Sequence, residues 1–410
     1  MNLVTVNVDT IRIGQPLPFS LWDANEILIA PKGYVIRSQA DLDVVVHERV
    51  QLFIDVAESE AYRRAYVGKL RKLVTDDLAL GQIAESQFSS FDLEMPRDPV
   101  LSGEPDWLDL QEQTHTMLRD SNADSFCARL DKLHLQINRH ARANPDGTLF
   151  ALIHLSSRET RKYSATHAML VSVMCSLAVR EVLKWPAELE TSLCKAALTM
   201  NVGMTELQDR LALQKEPPTA DQTKQIEQHA ARGLSILMQR GVTDPLWLEA
   251  VVDHHTNIPG PLATRTEAQR MARVIQRADM FSARLSPRAS RLPESPANAM
   301  QAIYFNENRQ VDEAGAALIK ATGIYSPGTF VRLASGEVAA VIKRGINTTA
   351  PRVAVVINRT GMPTGELIVR DTLKPEFRIV AGVPHRDVKV QINLERLLAL
   401  TKTTSADRLW

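Results

Sequence analysis

The order of apolar and polar positions divides the chain before any single residue is considered. Residues 1–56 read as mostly strand. In "TIRIGQPLPFSLWDANEILIAPKGYVI" apolar positions alternate, with turns expected at Asp23-Ala24-Asn25 and Pro31-Lys32-Gly33. A short helix is expected from an N-cap at Ser38, and residues 57–86 read as one helix. Residues 87–106, "QFSSFDLEMPRDPVLSGEPD", hold three prolines and little periodicity, which predicts a linker. One helix is expected over roughly 107–142, and the pattern is helical from 147 to about 320. After Pro327 the period returns to two. "GTFVRLASGEVAAVIKR" predicts a hairpin turning at Ser335-Gly336, "PRVAVVINRTG" continues the sheet, and a last helix opens near Asn393.

The helical middle places its histidines on inward faces. In "YSATHAMLVSVMCSLAV", His167 shares a face with Leu170, Val171, Met174 and Leu177. The next helix has Pro186 in its first turn and aligns Leu189, Leu193, Ala197 and Met200. A capping box, "TADQ" at 219–222, starts a third helix that aligns Ile226, His229, Ala230, Gly233 and Leu237. A fourth starts at Asp244-Pro245, carries Trp247, Leu248, Val251 and Val252, and ends in His254-His255. A fifth, "EAQRMARVIQRADMFSARL", puts Asp279 beside Ala272, Ile275 and Ala278. Burying these polar groups costs several kcal/mol unless each is paired. A single inward histidine is usually a hydrogen-bonded core residue. Five potential ligands on four of these five helices, His167, His229, His254, His255 and Asp279, leave open a metal or anion site and a hydrogen-bonded polar core. Imidazole and carboxylate together suit Fe, Mn or Zn.

Composition narrows the function classes. At 410 residues, two or three domains are expected, and 44% hydrophobic content suffices for real cores. With 48 basic and 48 acidic residues the formal net charge is zero, so there is no electrostatic case for a nucleic-acid polymer or an anionic membrane. Cys127, Cys175 and Cys194 are too few and scattered for a disulfide framework; the last two sit in apolar helical patterns as core thiols. The start "MNLVTVNVDT" lacks the features of a signal peptide, and the apolar run at 168–179 is too short to span a bilayer, so a cytoplasmic location is expected. Asp23 and Glu26 read as solvated turn and edge residues. "VVDHH" does not match a metalloprotease HExxH, because its histidines are adjacent rather than four apart.

The helical segment from about 150 to 325 resembles the HD-GYP family, metal-dependent phosphodiesterases that hydrolyse the bacterial second messenger cyclic di-GMP. "THAMLVSV", "KAALTMNVGM", "IEQHAARGLSIL", "VVDHHTNIPG" and "VIQRADMFSARLSPR" follow the family's motifs in order. "GIYSPGTFVRLASGEVAAVI" is similar to the β-rich tail of some members. The resemblance implies a multidomain α+β chain. A β-rich N-terminal domain (1–56) is followed by helices and a linker (57–146), an all-α HD-GYP-like core (147–325), and a β-rich extension with a final helix (326–410). It implies a metal set of His167, His229, His254, His255 and Asp279, and a phosphate-facing Arg288. Arg284 and Arg288 could form a basic rim, although such a pair more often faces solvent.

The departures bear on activity. The family's His-Asp dyad falls on Met200 and Asn201, its lysine on Met204, and the Glu after the His pair on Thr256. The Gly-Tyr-Pro loop is reduced to "TNIPGPLATRTE". In the family the dyad Asp bridges two metal ions that share an activated water. Asn is a poor bridge, and a methionine thioether suits Cu(I) better than Fe or Mn. Three readings stay open. One is a degenerate signalling module that binds cyclic di-GMP or a partner protein with little or no turnover. The others are a phosphodiesterase on a reduced metal site and an HDOD-like interaction module without metal. The helices at 57–86 and 107–142 could support a homodimer, without a clean heptad repeat.

Overall fold

The computed structural model describes residues 105–402, except 121, 122, 159 and 391–393, together with short stretches between 3 and 55. The chain falls into two compact units, Met1–Glu104 and Pro105–Trp410.

In the first unit, β1 (Leu3–Thr5), β2 (Leu21–Trp22), β3 (Leu28–Ala30) and β4 (Phe53–Asp55) form a sheet of order β1-β4-β2-β3. All its pairings are antiparallel. Leu21 and Ala30 are buried beside each other in the β2–β3 register. The turn expected at Pro31–Gly33 is present: the Tyr34 N–H donates to the Pro31 carbonyl at 3.1 Å. The turn at Asp23-Ala24-Asn25, the residues Asp23 and Glu26, the helix run after Ser38, the 57–86 helix and the linker before 105 lie outside the described residues.

The second unit opens on α1 (Trp107–Arg119) and α2 (Ala123–Ala143). Sequence periodicity predicted one helix over 107–142, but two form. The break comes at Asp120, and residues 121 and 122 lie outside the described residues. Asp120 is already extended, at φ −66° and ψ 126°. Then come α3 (Pro145–Arg158), α4 (Tyr163–Leu177), α5 (Ala187–Thr199), α6 (Thr205–Leu213), α7 (Ala220–Gln239), α8 (Pro245–Asp253), α9 (Glu267–Leu285), α10 (Pro296–Tyr304) and α11 (Glu313–Thr322). All fifteen residues of α4 are buried, as expected of a helix that is apolar all round. It packs against α1, α3, α5 and α9. A π-helical stretch, Ala178–Leu183, extends it, and Tyr163–Leu183 is by length and composition long and apolar enough to cross a membrane. The apolar run read from the sequence stopped at 179; here the whole helix is the centre of the helical core, with 78% of its most apolar window buried.

A five-stranded antiparallel sheet follows: β5 (Phe330–Leu333), β6 (Val338–Lys343), β7 (Arg352–Ile357), β8 (Pro363–Asp371) and β9 (Ile379–Val383), in the order β8-β7-β6-β5-β9. The predicted hairpin turns where expected, with Gly336 at φ +86°, a conformation that favours glycine. One face of the sheet covers Phe150 of α3 and Leu397 of α12 (Leu394–Thr401). Arg344 ties the sheet to the helices through Asp146 and Glu181, both at 2.7 Å.

Candidate metal centre

Local sequence signals fix the helices that carry the candidate ligands. The capping box of α7 is formed, with the Gln222 N–H donating to Thr219 Oγ1 and the Thr219 N–H to Gln222 Oε1. Asp244 caps α8 ahead of Pro245, and His254 is the C-cap of the same helix. Thr266 and Gln269 form a second capping box on α9. The turn after Met200-Asn201 lies hard against α7. A Cβ at Gly203 would sit 2.2 Å from the His229 carbonyl oxygen, so only glycine permits this approach.

These helices bring three of the five candidates together. His229, His254 and His255 offer nitrogens that all lie within 4.8 Å of one another. His229 and His254 are buried, and His255 is exposed. The ring centroids of His254 and His255 are 4.0 Å apart, and those of His229 and His255 are 5.0 Å apart.

The tautomers follow from the partners. His229 Nδ1 lies 2.5 Å from the Ile226 carbonyl and His254 Nδ1 lies 2.6 Å from the Val251 carbonyl. A carbonyl only accepts, so each Nδ1 carries the proton and donates. Each neutral ring then has its lone pair on Nε2, and the two Nε2 atoms face each other at 3.2 Å. Burial lowers both pKa values, that of His254 to about 3, so neither ring holds a second proton at neutral pH to bridge the gap. Two facing lone pairs repel unless a cation lies beside them. Two imidazoles on one ion with bonds of about 2.0–2.1 Å have their nitrogens roughly 2.9–3.4 Å apart. The observed separation falls in that range, and three imidazole nitrogens suit Zn or Fe.

The other two candidates pair with each other. His167 Nε2 lies 2.7 Å from Asp279 Oδ1, and His167 Nδ1 lies 2.9 Å from Ser282 Oγ. Burial pushes the Asp279 pKa up, but the hydrogen bond and charge of His167, with His254 and His255 beyond, outweigh it and hold it at about 2. Its charge acts in turn on His229 and His254.

Arg288 does not touch the histidines directly. Its Nη2 donates to the Tyr163 hydroxyl at 2.9 Å, its guanidinium lies 4.9 Å above the Tyr163 ring, and that ring stacks on His167 at 5.5 Å. The Arg288 Nε is buried without a partner. Arg284 is neutralised by Glu294 at 2.7 Å. At the dyad positions, Met200 is fully buried within the apolar core, and Asn201 Oδ1 is buried with no hydrogen-bond partner. The segment 256–266 is largely exposed; Leu262 anchors it, its N–H donating to Glu313 at 2.7 Å.

Sequence reasoning passed over Tyr163 and Ser282. Both stood at helical spacing, Tyr163 four residues before His167 and Ser282 three after Asp279.

No protein-family model matches the chain. A curated cyclic di-GMP phosphodiesterase of Pseudomonas aeruginosa is 24% identical over 246 residues, which cover 58% of this chain. The match spans 58% of that relative's length. A solved protein of Bdellovibrio bacteriovorus, described as an HDG"Y"P protein, is 15% identical and aligns over 77% of this chain and 98% of its own, at a TM-score of 0.42. Shared topology does not follow from a score of that size. With its motifs in family order on helices that gather three of their histidines, and with this curated relative, the helical core of the chain is HD-GYP-like.

Proposed function

We propose that this chain is a signalling protein that holds one divalent metal on His229, His254 and His255 and takes cyclic di-GMP as its ligand, with little or no turnover. The observation that carries the reading is the pair of Nε2 lone pairs 3.2 Å apart, fixed by backbone carbonyls on the far side of each ring. Carbonyl partners of this kind orient metal-binding histidines generally. Burial keeps both rings neutral, so they can ligate without first losing a proton. A bound metal would act as a Lewis acid and lower the pKa of a coordinated water. The guanidinium of Arg288, held over Tyr163, suits a phosphate oxygen. Cyclic di-GMP as the ligand rests on the motif order and on the activity of the curated relative.

Little or no turnover follows from the dyad positions. Met200 is a buried thioether in the core and offers no hard ligand to a second ion. A two-metal clamp around an activated water therefore lacks a donor. The test is to titrate Mn- or Fe-loaded protein with cyclic di-GMP and to follow its products by chromatography. Binding without product is expected. Rapid, chelator-sensitive hydrolysis that disappears in His254→Ala would overturn the claim of little turnover.

A second reading, a one-metal phosphodiesterase, draws on the exposure of His255, which leaves one side of the trio open to water. It predicts hydrolysis lost on chelation and restored by Mn or Fe. An HDOD-like interaction module predicts no stoichiometric metal at all.

A further inference from the structure

One side of α6 and the last turn of α1 border an open cleft of about 490 Å³, lined by Arg119, Glu206, Asp209, Arg210 and Leu213. None of the candidate metal ligands lines it. The four α6 residues stand at spacings of 3, 4 and 7, so the helix presents them on one face. Asp209 is buried and its oxygens are taken. Oδ1 accepts from the Ser164 N–H at 2.7 Å, and Oδ2 accepts from Ser164 Oγ at 3.0 Å and from Arg119 Nη2 at 2.5 Å. Asp209 therefore fixes Arg119 at the wall of the cleft and ties the cleft to the first turn of α4, next to Tyr163. Glu206 and Arg210 are exposed, and neither side chain has a hydrogen bond or ion pair among the described residues.

Two cations and two carboxylates leave the cleft without net charge, which argues against a bare phosphate or another simple anion. Its two unengaged groups ask for a ligand with paired acceptors beside paired donors. A guanidinium fork donates to two neighbouring acceptors, and a carboxylate accepts from two neighbouring donors. Guanine carries both sets on adjacent edges: O6 and N7 accept, while N1–H and the 2-amino group donate. Adenine sets an amino donor beside N7, and that donor opposes a guanidinium. Glu206 and Arg210 are one helical turn apart, with Cβ atoms about 5–6 Å from each other, a span that grips adjacent edges of one ring. Leu213 is exposed at the same cleft and supplies an apolar surface for the face of the base. We infer that this cleft is a nucleotide site, separate from the histidines, that takes a guanine base, with Arg210 on O6 and N7 and Glu206 on N1–H and the 2-amino group. The inference stands apart from the metal reading above, because no metal ligand takes part in it.

The test is a calorimetric titration of the full chain with GMP in excess chelator. One GMP per chain is expected. AMP should bind about tenfold more weakly or worse, since one well-placed bidentate pair discriminates between bases by that much. IMP, which lacks the 2-amino group, should fall between them. Glu206→Ala and Arg210→Ala change exposed positions and leave the packed core untouched, and each should weaken GMP about tenfold or more. Equal binding of GMP and AMP, GMP binding indifferent to both variants, or no binding at all would overturn the inference. GMP that binds only after metal is loaded, and is lost in His254→Ala, would put the nucleotide at the histidines; this site would then fall while the metal reading stands. A chain that takes up no metal yet binds GMP through Glu206 and Arg210 would do the reverse.

Discussion

His254 and His167 are the same side chain in almost the same state of burial, 0% and 2% exposed, yet the fold prepares them for opposite tasks. His254 spends Nδ1 on the backbone of its own helix, one turn back at Val251, and its Nε2 lone pair points away from the helix towards His229. His167 spends both nitrogens on side chains of α9, Asp279 and Ser282, and keeps nothing. What makes a buried histidine a ligand is what holds its other nitrogen. A carbonyl behind the ring fixes the tautomer and turns the free lone pair outward. A carboxylate that takes the Nε2–H of His167 leaves the lone pair on Nδ1, where the Ser282 hydroxyl occupies it.

The largest effect that sharpens this contrast is on metal content. His254→Ala should take the chain from about one bound metal to almost none, a greater loss than the roughly 10–100-fold that removal of an outer-shell group brings. Elemental analysis of the purified variant beside wild type checks it, and equal metal in both would break the distinction.

The next effect tests whether α9 is as firmly placed as the contrast needs. On the side of α9 away from Asp279, Arg273 and Arg277 are buried at 3% and 2% exposure and share Asp312 and Glu307. Arg273→Met leaves Asp312 with one cation instead of two. Breaking a buried pair costs about 3–5 kcal/mol, and the low end, about 3 kcal/mol, is expected because Arg277 remains 3.2 Å from Asp312. Urea unfolding should show this loss; a shift of less than about 1 kcal/mol would mean that the network does not hold the helix.

Much of the arrangement was legible in the sequence, and the parts that were not share a cause. Capping boxes at Thr219 and the Asp244-Pro245 start gave helix boundaries, because they are local hydrogen-bond chemistry written in adjacent residues. Inward faces came from spacing. The sharing out of the histidine nitrogens was invisible, since it depends on which carbonyl or side chain another helix presents. β8 was missed because its burial alternates poorly and Pro363 and Gly365 dilute the strand signal. β9 was missed because it is a short edge strand with only Val383 fully buried. The break between α1 and α2 comes at Asp120, a single polar position inside an otherwise periodic run.

Gly203→Ala comes next. The new Cβ would meet the His229 carbonyl at 2.2 Å, so the turn after Asn201 or α7 must move. Overpacking of this kind costs about 1–3 kcal/mol. The expected signature is a stability loss with weakened metal binding, because His229 moves with its helix; unchanged stability would show that the approach is loose.

Acidity tests the burial of His254 in metal-free protein. His254 titrates near 3 folded against 6.5 when exposed, so below about pH 6.5 the unfolded chain takes up a proton that the folded chain refuses. Stability should fall as pH drops from 6.5 towards 3, with a slope approaching ~1.4 kcal/mol per pH unit from this group. Asp279 adds a lower window. Its pKa of about 2, against 3.8, stabilises the fold above about pH 3.8, and that contribution is lost as pH falls towards 2. Urea midpoints in chelator at about pH 7 and pH 5 report the upper window. His254→Asn should flatten the difference between them, and an equal slope in the variant would assign the proton elsewhere.

The smallest effect falls on the other histidine. Ser282→Ala removes the partner of His167 Nδ1 and nothing else in the first turn around it. The ring stays clamped by Asp279 and by the Tyr163 stack, so the cost should be that of one buried hydrogen bond, about 1 kcal/mol. Freed of Ser282, the Nδ1 lone pair still faces α9. Metal stoichiometry should therefore be unchanged. If Ser282→Ala instead abolished metal binding without unfolding the chain, His167 would belong with His254 after all, because only an inner ligand transmits so small a change so completely.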